Sequence, residues 1–127
     1  MNVKRVKFLS ITLALVVGLA MTMAGYLWAG YFYTQNTVVG TSYAYGAMCN
    51  ARRSSDNVQY IGCASNTSGA TYCWARNSVG TFKSCYSTSA AMHNQLHSMT
   101  DCSYIYFTVN TAGQCAYIYI RNASYHL

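Results

Sequence analysis

Acidic residues are almost missing from this chain. Asp56 and Asp101 are the only side-chain carboxylates among 127 residues, and there is no proline. Catalysis by a pair of carboxylates therefore has next to nothing to draw on. Charged residues make up 8% of the sequence, against roughly a quarter in an ordinary soluble protein. With 53% hydrophobic residues beside so few charges, the composition is the reverse of a disordered one. Heptads are absent, and so are basic runs after the first few residues, which argues against a coiled coil and a nucleic-acid-binding tail. No Cys-x-x-Cys occurs, so neither a thioredoxin-type redox motif nor a zinc ribbon is supported. No Gly-x-Ser-x-Gly elbow singles out one of the many serines as a nucleophile.

What the chain does contain is cysteine and tyrosine. Six cysteines and 13 tyrosines sit in 14.0 kDa, the size of one domain. An even number of cysteines in a small chain points to an exported domain stapled by disulfides, each worth about 2–4 kcal/mol through its constraint on the unfolded state. Cys49, Cys63, Cys73, Cys85, Cys102 and Cys115 are expected to form three such bonds. Their spacing leaves all the pairings open.

The first residues agree with export. Lys4, Arg5 and Lys7 form a basic flank, and the uncharged run Phe8 to Ala24 follows. A signal peptide over residues 1–24 is expected, cleaved after Ala24 with Thr22 at the minus-three position. The alternative is a retained signal anchor, because the uncharged stretch continues to about Tyr33, long enough to span a bilayer. In either case the basic flank stays inside and the rest is translocated. The expected location is secreted or periplasmic, or outside the membrane on an anchor. Removing the three leading cations leaves Arg52, Arg53, Arg76, Lys83 and Arg121 against two acids, a net +3 in place of +6. Only Arg52 and Arg53 are adjacent, so no phosphate-tracking patch is present and no nucleic-acid partner is expected.

From residue 25 to 57 the chain is rich in Tyr, Gly, Ser and Thr with little periodicity, and is read as an extended lead-in. Stronger strand signals follow in the expected domain, 58–127. Val58 to Cys63, Ala70 to Ala75 and Thr81 to Tyr86 are separated by short turns containing glycine, as in an antiparallel meander. Ser87, Thr88 and Ser89 offer N-caps for a helix carrying Met92, Leu96 and Met99 on one stripe, ending near Thr100. Cys102 to Val109 and Gln114 to Arg121 form a final hairpin. In its turn Asn110 and Gly113 are candidates for positive φ. The expected fold is α+β: one antiparallel sheet of about five strands, meander plus C-terminal hairpin, with a single helix packed on one face.

Alternation makes the last hairpin two-faced. Ile105, Phe107, Val109, Ala116, Ile118 and Ile120 share an aliphatic face expected to lie beneath the helix. Tyr104, Tyr106, Tyr117 and Tyr119 share the other, with Cys102, Cys115 and Arg121 and an extension toward Tyr60, Tyr72 or Trp74. The pieces Tyr60-Ile61-Gly62-Cys63, Ser103-Tyr104-Ile105-Tyr106-Phe107 and Gly113-Gln114-Cys115-Ala116-Tyr117-Ile118-Tyr119 resemble a group of small exported bacterial cysteine-containing proteins. That resemblance implies export and a common fold, and no activity or site residues come with it.

For function, the tyrosine face is the feature that stands out. Tyr104, Tyr106, Tyr117 and Tyr119 offer rigid rings and hydroxyls at low entropic cost, suited to glycans or to an extracellular protein surface. Against this, tyrosine is a favoured strand residue, and the face could instead be a second small core under the lead-in, held by Cys102 and Cys115. The expectation is a non-enzymatic binding module without a cofactor. The alternative is a structural component of the cell surface or of an extracellular assembly, for which self-association is expected, and a small metal-binding or hydrolytic enzyme stands third. His93 and His97 lie at i and i+4, a spacing that can grip one metal ion. The residue after the first histidine is Asn94, where the zinc-protease motif needs glutamate, so they are read as a solvent-facing pair. Asn66-Thr67-Ser68 and Asn122-Ala123-Ser124 match the N-glycosylation pattern, and with a bacterial-type signal they are read as chance.

Overall fold

The computed structural model describes residues 34–124. The expected signal segment, residues 1–24, and the alternative anchor to about 33 lie outside the described residues. The elements run β1 (Val38–Val39), β2 (Tyr43–Ala47), α1 (Met48–Arg52), β3 (Tyr60–Ser65), β4 (Thr71–Arg76), β5 (Phe82–Ser87), α2 (Ala90–Leu96), β6 (Tyr104–Val109) and β7 (Cys115–Arg121). The fold is α+β, and every strand expected from the sequence is present within a few residues of its expected limits.

The single five-stranded sheet is not what forms. The meander β3-β4-β5 is a sheet of its own, and the hairpin β6-β7 belongs to a second, four-stranded sheet of order β1-β2-β6-β7. The physical reason lies in the second face. Ile61, Cys63, Cys73, Ala75 and Cys85 give the meander a buried apolar side of its own, and one seven-residue helix cannot cover both this and the hairpin. Packed face to face, the two sheets cover each other. Phe107 and Ile105 sit at the centre, fully enclosed, with Ile118, Ile120 and Ala44 beside them. Helix α2 contributes Leu96 to this core, with Met92 and Met99 partly buried against it, so the expected apolar stripe does face inward.

The lead-in is also more ordered than its composition indicates. Tyr43 to Ala47 pairs antiparallel with β6 over its full length, and Val38–Val39 pairs with it in turn. The inward positions of β2 are Ala44 and Gly46, which gave no hydrophobic signal. Gly46 is small for a reason: a Cβ there would stand 3.0 Å from the backbone of Thr37, which crosses close by.

Three hairpin turns share one construction. Asn66, Asn77 and Asn110 each stand three residues before a glycine, and the N–H groups of Gly69, Gly80 and Gly113 donate to their carbonyls at 3.0–3.1 Å. Each glycine has positive φ, +83°, +89° and +78°, a region open to residues without a Cβ. The asparagines do not take positive φ as the sequence reading of Asn110 allowed. Their Oδ1 atoms accept backbone N–H groups across the loop instead, from Ala70, Thr81 and Gln114 among others, holding each turn closed.

The three disulfides are Cys49–Cys102, Cys63–Cys73 and Cys85–Cys115. Among the described residues no cysteine is free. Cys49–Cys102 ties α1 to the segment before β6, Cys63–Cys73 joins facing positions of β3 and β4, and Cys85–Cys115 ties one sheet to the other. Helix α2 ends at Leu96, earlier than Thr100. The loop after it is fastened by Asn122, whose Nδ2 donates to the Ser98 carbonyl at 2.7 Å and whose Oδ1 accepts from Ser103 and Thr100.

Candidate functional site

The registers of β2, β6 and β7 set out the outer face of the larger sheet. Tyr45 stands beside Tyr106, which stands beside Tyr119. On one side of that row lie Tyr43, Thr108 and Tyr117, and on the other Ala47, Tyr104 and Arg121. The four tyrosines expected from the sequence are brought together as expected, and β2 adds Tyr43 and Tyr45. The alternation of tyrosine with Ala and Gly in Tyr43-Ala44-Tyr45-Gly46 was the signal for them.

The rings form a connected layer. Tyr43 and Tyr45 stack at 6.1 Å between centroids, with planes 8° apart. Tyr106 lies 6.3 Å from Tyr45, 6.4 Å from Tyr43 and 6.1 Å from Tyr117, the last edge-on. The Arg121 guanidinium lies over the Tyr104 ring, 4.7 Å from its centroid, a cation–π contact. Burial pushes the Tyr104 phenol above its ordinary pKa, and the Arg121 charge opposes that shift. Tyr43, Tyr117 and Tyr119 remain 38%, 52% and 39% exposed. Tyr45, Tyr104 and Tyr106 are half-buried, so among the described residues the face is partly exposed rather than fully enclosed.

Neither cysteine expected on this face is there. Cys102 lies ahead of β6 and is bonded to Cys49. Cys115 is turned inward by an irregularity in the β6–β7 register between Thr108 and Val109, which leaves Ala116 exposed and Cys115 buried. The alternation read from the sequence put these two residues the other way round.

Tyr60, Tyr72 and Trp74 do not extend the tyrosine face either. They stand on the outer side of the smaller sheet, which faces away from the shared core in the opposite sense. Phe82 and Tyr86 of β5 join them there. Apart from Val79 in the β4–β5 turn, every exposed large apolar side chain among the described residues stands on one of these two outer faces.

His93 of α2 and His97, which caps its C-terminus, form a pair and nothing larger among the described residues. His93 and His97 contact edge to face, 5.3 Å between ring centroids, and His93 Nδ1 is buried with no hydrogen-bond partner among the described residues. No group of three His, Cys, Asp or Glu side chains able to hold a metal ion occurs among the described residues. No helix among them is long and apolar enough to cross a membrane. Asp56 has a structural position: its carboxylate accepts the backbone N–H groups of Val58 and Gln59 at 2.7 and 2.9 Å and the side chain of Gln59. Gln59 in turn accepts from the Thr37 N–H at 2.8 Å. These bonds hold Asp56 below the usual carboxylate range, the Gln59 side chain contributing most.

The chain matches no family model, no curated protein and no solved structure.

Proposed function

We propose that this protein is an exported, non-enzymatic binding module that takes glycans on the tyrosine face of its larger sheet. One observation carries the reading: six tyrosines on three neighbouring strands share one sheet face, three of them exposed and three half-buried, with an arginine at its corner. The C–H faces of sugar rings stack on such rings, and phenol and guanidinium groups offer hydrogen bonds to sugar hydroxyls. Tyrosine has only two side-chain torsions, and here the rings of Tyr43, Tyr45, Tyr104, Tyr106 and Tyr117 each lean on a neighbour, so little freedom remains to be lost on binding. Three disulfides in a small domain suit a secreted or periplasmic location.

A second reading, a structural subunit of the cell surface, is favoured by the presence of two open aromatic faces on one small domain, a surface that also suits self-association. A panel of immobilised glycans and envelope polymers, probed with the oxidised mature protein, tests the first reading. Retention on particular glycans, lost with Tyr106→Ala/Tyr117→Ala, is the expected result. Growth of the particle on sizing as concentration rises, without glycan retention, would establish the structural reading instead.

A further inference from the structure

The outer face of β3-β4-β5 has a different plan from the tyrosine layer. Its middle row reads Gly62, Trp74, Ser84 across the three strands. The row on one side pairs Tyr72 with Tyr86, ring centroids 5.1 Å apart, and the row on the other brings Tyr60 and Phe82 to 6.4 Å. Rows on one face of a strand are spaced at roughly 7 Å. The indole of Trp74 leans over Gly62, such that a Cβ at that position would lie 3.3 Å from Cζ2 and 3.5 Å from Cε2. With small residues on both sides of Trp74 and aromatic pairs above and below, the middle row is a shallow trough floored by an indole.

The charge on this face has one sign. Among the described residues Arg76 is its only ionised residue, in the row of Tyr60 and Phe82, and no carboxylate stands on β3, β4 or β5. Arg76 Nε donates to the Gly80 carbonyl at 3.2 Å, which fixes the guanidinium at the Tyr60/Phe82 end of the trough. Both acids of the chain lie in loops, Asp56 between α1 and β3 and Asp101 between α2 and β6. A flat ring floor, aromatic banks and one fixed cation match a sugar chain bearing carboxylates: rings stack on the indole while a carboxylate meets the guanidinium.

We propose that this trough is a second, separate site, for an acidic polysaccharide of the uronic acid type. It stands whether or not the tyrosine face binds glycans. If both faces bind, their opposite orientation makes each molecule bivalent, able to bridge two polymer chains.

Trp74 reports on its own site, because the chain has two tryptophans, Trp28 and Trp74. In a Trp28→Phe background, titration with oligogalacturonate should change the Trp74 emission saturably. Arg76→Gln should weaken that binding about tenfold, as for loss of a charge-assisted contact, and should leave binding of the carboxyl-reduced neutral oligomer unchanged. Ser84→Tyr, an exposed strand substitution that leaves Trp74 in place, should block the trough. Tyr106→Ala/Tyr117→Ala should leave the Trp74 response intact even where it abolishes binding at the other face. No saturable change in Trp74 emission, or equal affinity for the charged and neutral oligomers, would overturn the proposal, as would loss of the response in the Tyr106/Tyr117 variant.

Discussion

Cys115 opens β7 yet faces Cys85 on the opposite sheet, because the irregular register beside Val109 turns it from the tyrosine face into the core. The bond closes a sequence separation of 30 residues, against 10 for Cys63–Cys73 and 53 for Cys49–Cys102. Chain entropy then ranks the three. Cys85→Ala/Cys115→Ala should lower stability by about 3–4 kcal/mol, and Cys63→Ala/Cys73→Ala by about 1 kcal/mol less. Denaturant unfolding of the two double variants checks the order. A larger loss from the short loop would show that packing within the sheet, rather than constraint of the unfolded chain, dominates.

The turns make a sharper local test. Gly113 has φ of +78° with open space around its Cα, so an added methyl meets no neighbour and only the backbone conformation is penalised. Gly113→Ala should cost about 1–2 kcal/mol. Asn110→Ala, which removes the acceptor for Ala112 and Gln114, should cost about 1 kcal/mol. Thermal melts of both variants measure this, and an unchanged Gly113→Ala melt would contradict the turn geometry.

Acid should act through Asp56. Its carboxyl pKa is lowered in the folded protein by the bonds from Gln59 and Val58. A depressed carboxylate contributes stability that is fully present above the unfolded value and is lost as pH falls through the folded one. The loss should therefore set in below about pH 4. Asp56→Asn keeps an acceptor oxygen but cannot titrate, so its melting temperature should fall less steeply than that of the wild type over the same range. Parallel slopes for the two proteins would remove Asp56 from the acid response.

Tyr117 distinguishes an open layer from a core. It is 52% exposed and touches Tyr106 edge-on. Tyr117→Ala should cost about 1 kcal/mol, the scale of a lost cross-strand aromatic pair, well short of the 3–5 kcal/mol expected for a large aromatic in a packed site. A loss in the larger range would mean that the face is covered in solution.

The sequence was legible where apolar and polar residues alternate cleanly, and less so elsewhere. β6 and β7 carry bulky aliphatic side chains inward, so their faces could be read directly, as could the four tyrosines opposite. β2 turns Ala44 and Gly46 inward, and small residues leave no hydrophobic pattern, so its place beside β6 went unread. The same is true of the split into two sheets: periodicity tells which residues share a face, whereas the partner of that face depends on how much apolar area the rest of the chain must cover. Strict alternation has no room for the bulge that turns Cys115 inward. Trp74 stands on the meander strand where the pattern puts it, but away from the tyrosine face, since no local signal states whether a meander and a hairpin will share one sheet.

The most direct test of the account is to measure glycan affinity and fold stability together for Tyr106→Ala/Tyr117→Ala. Tyr106 sits at the centre of the ring layer and Tyr117 is its most exposed member. The account predicts that glycan retention by the tyrosine face is abolished while the melt stays cooperative and falls by no more than about 2 kcal/mol in stability, an upper bound because the two rings share one contact. Retention at the wild-type level with the fold intact would contradict it, and so would collapse of the fold at wild-type conditions.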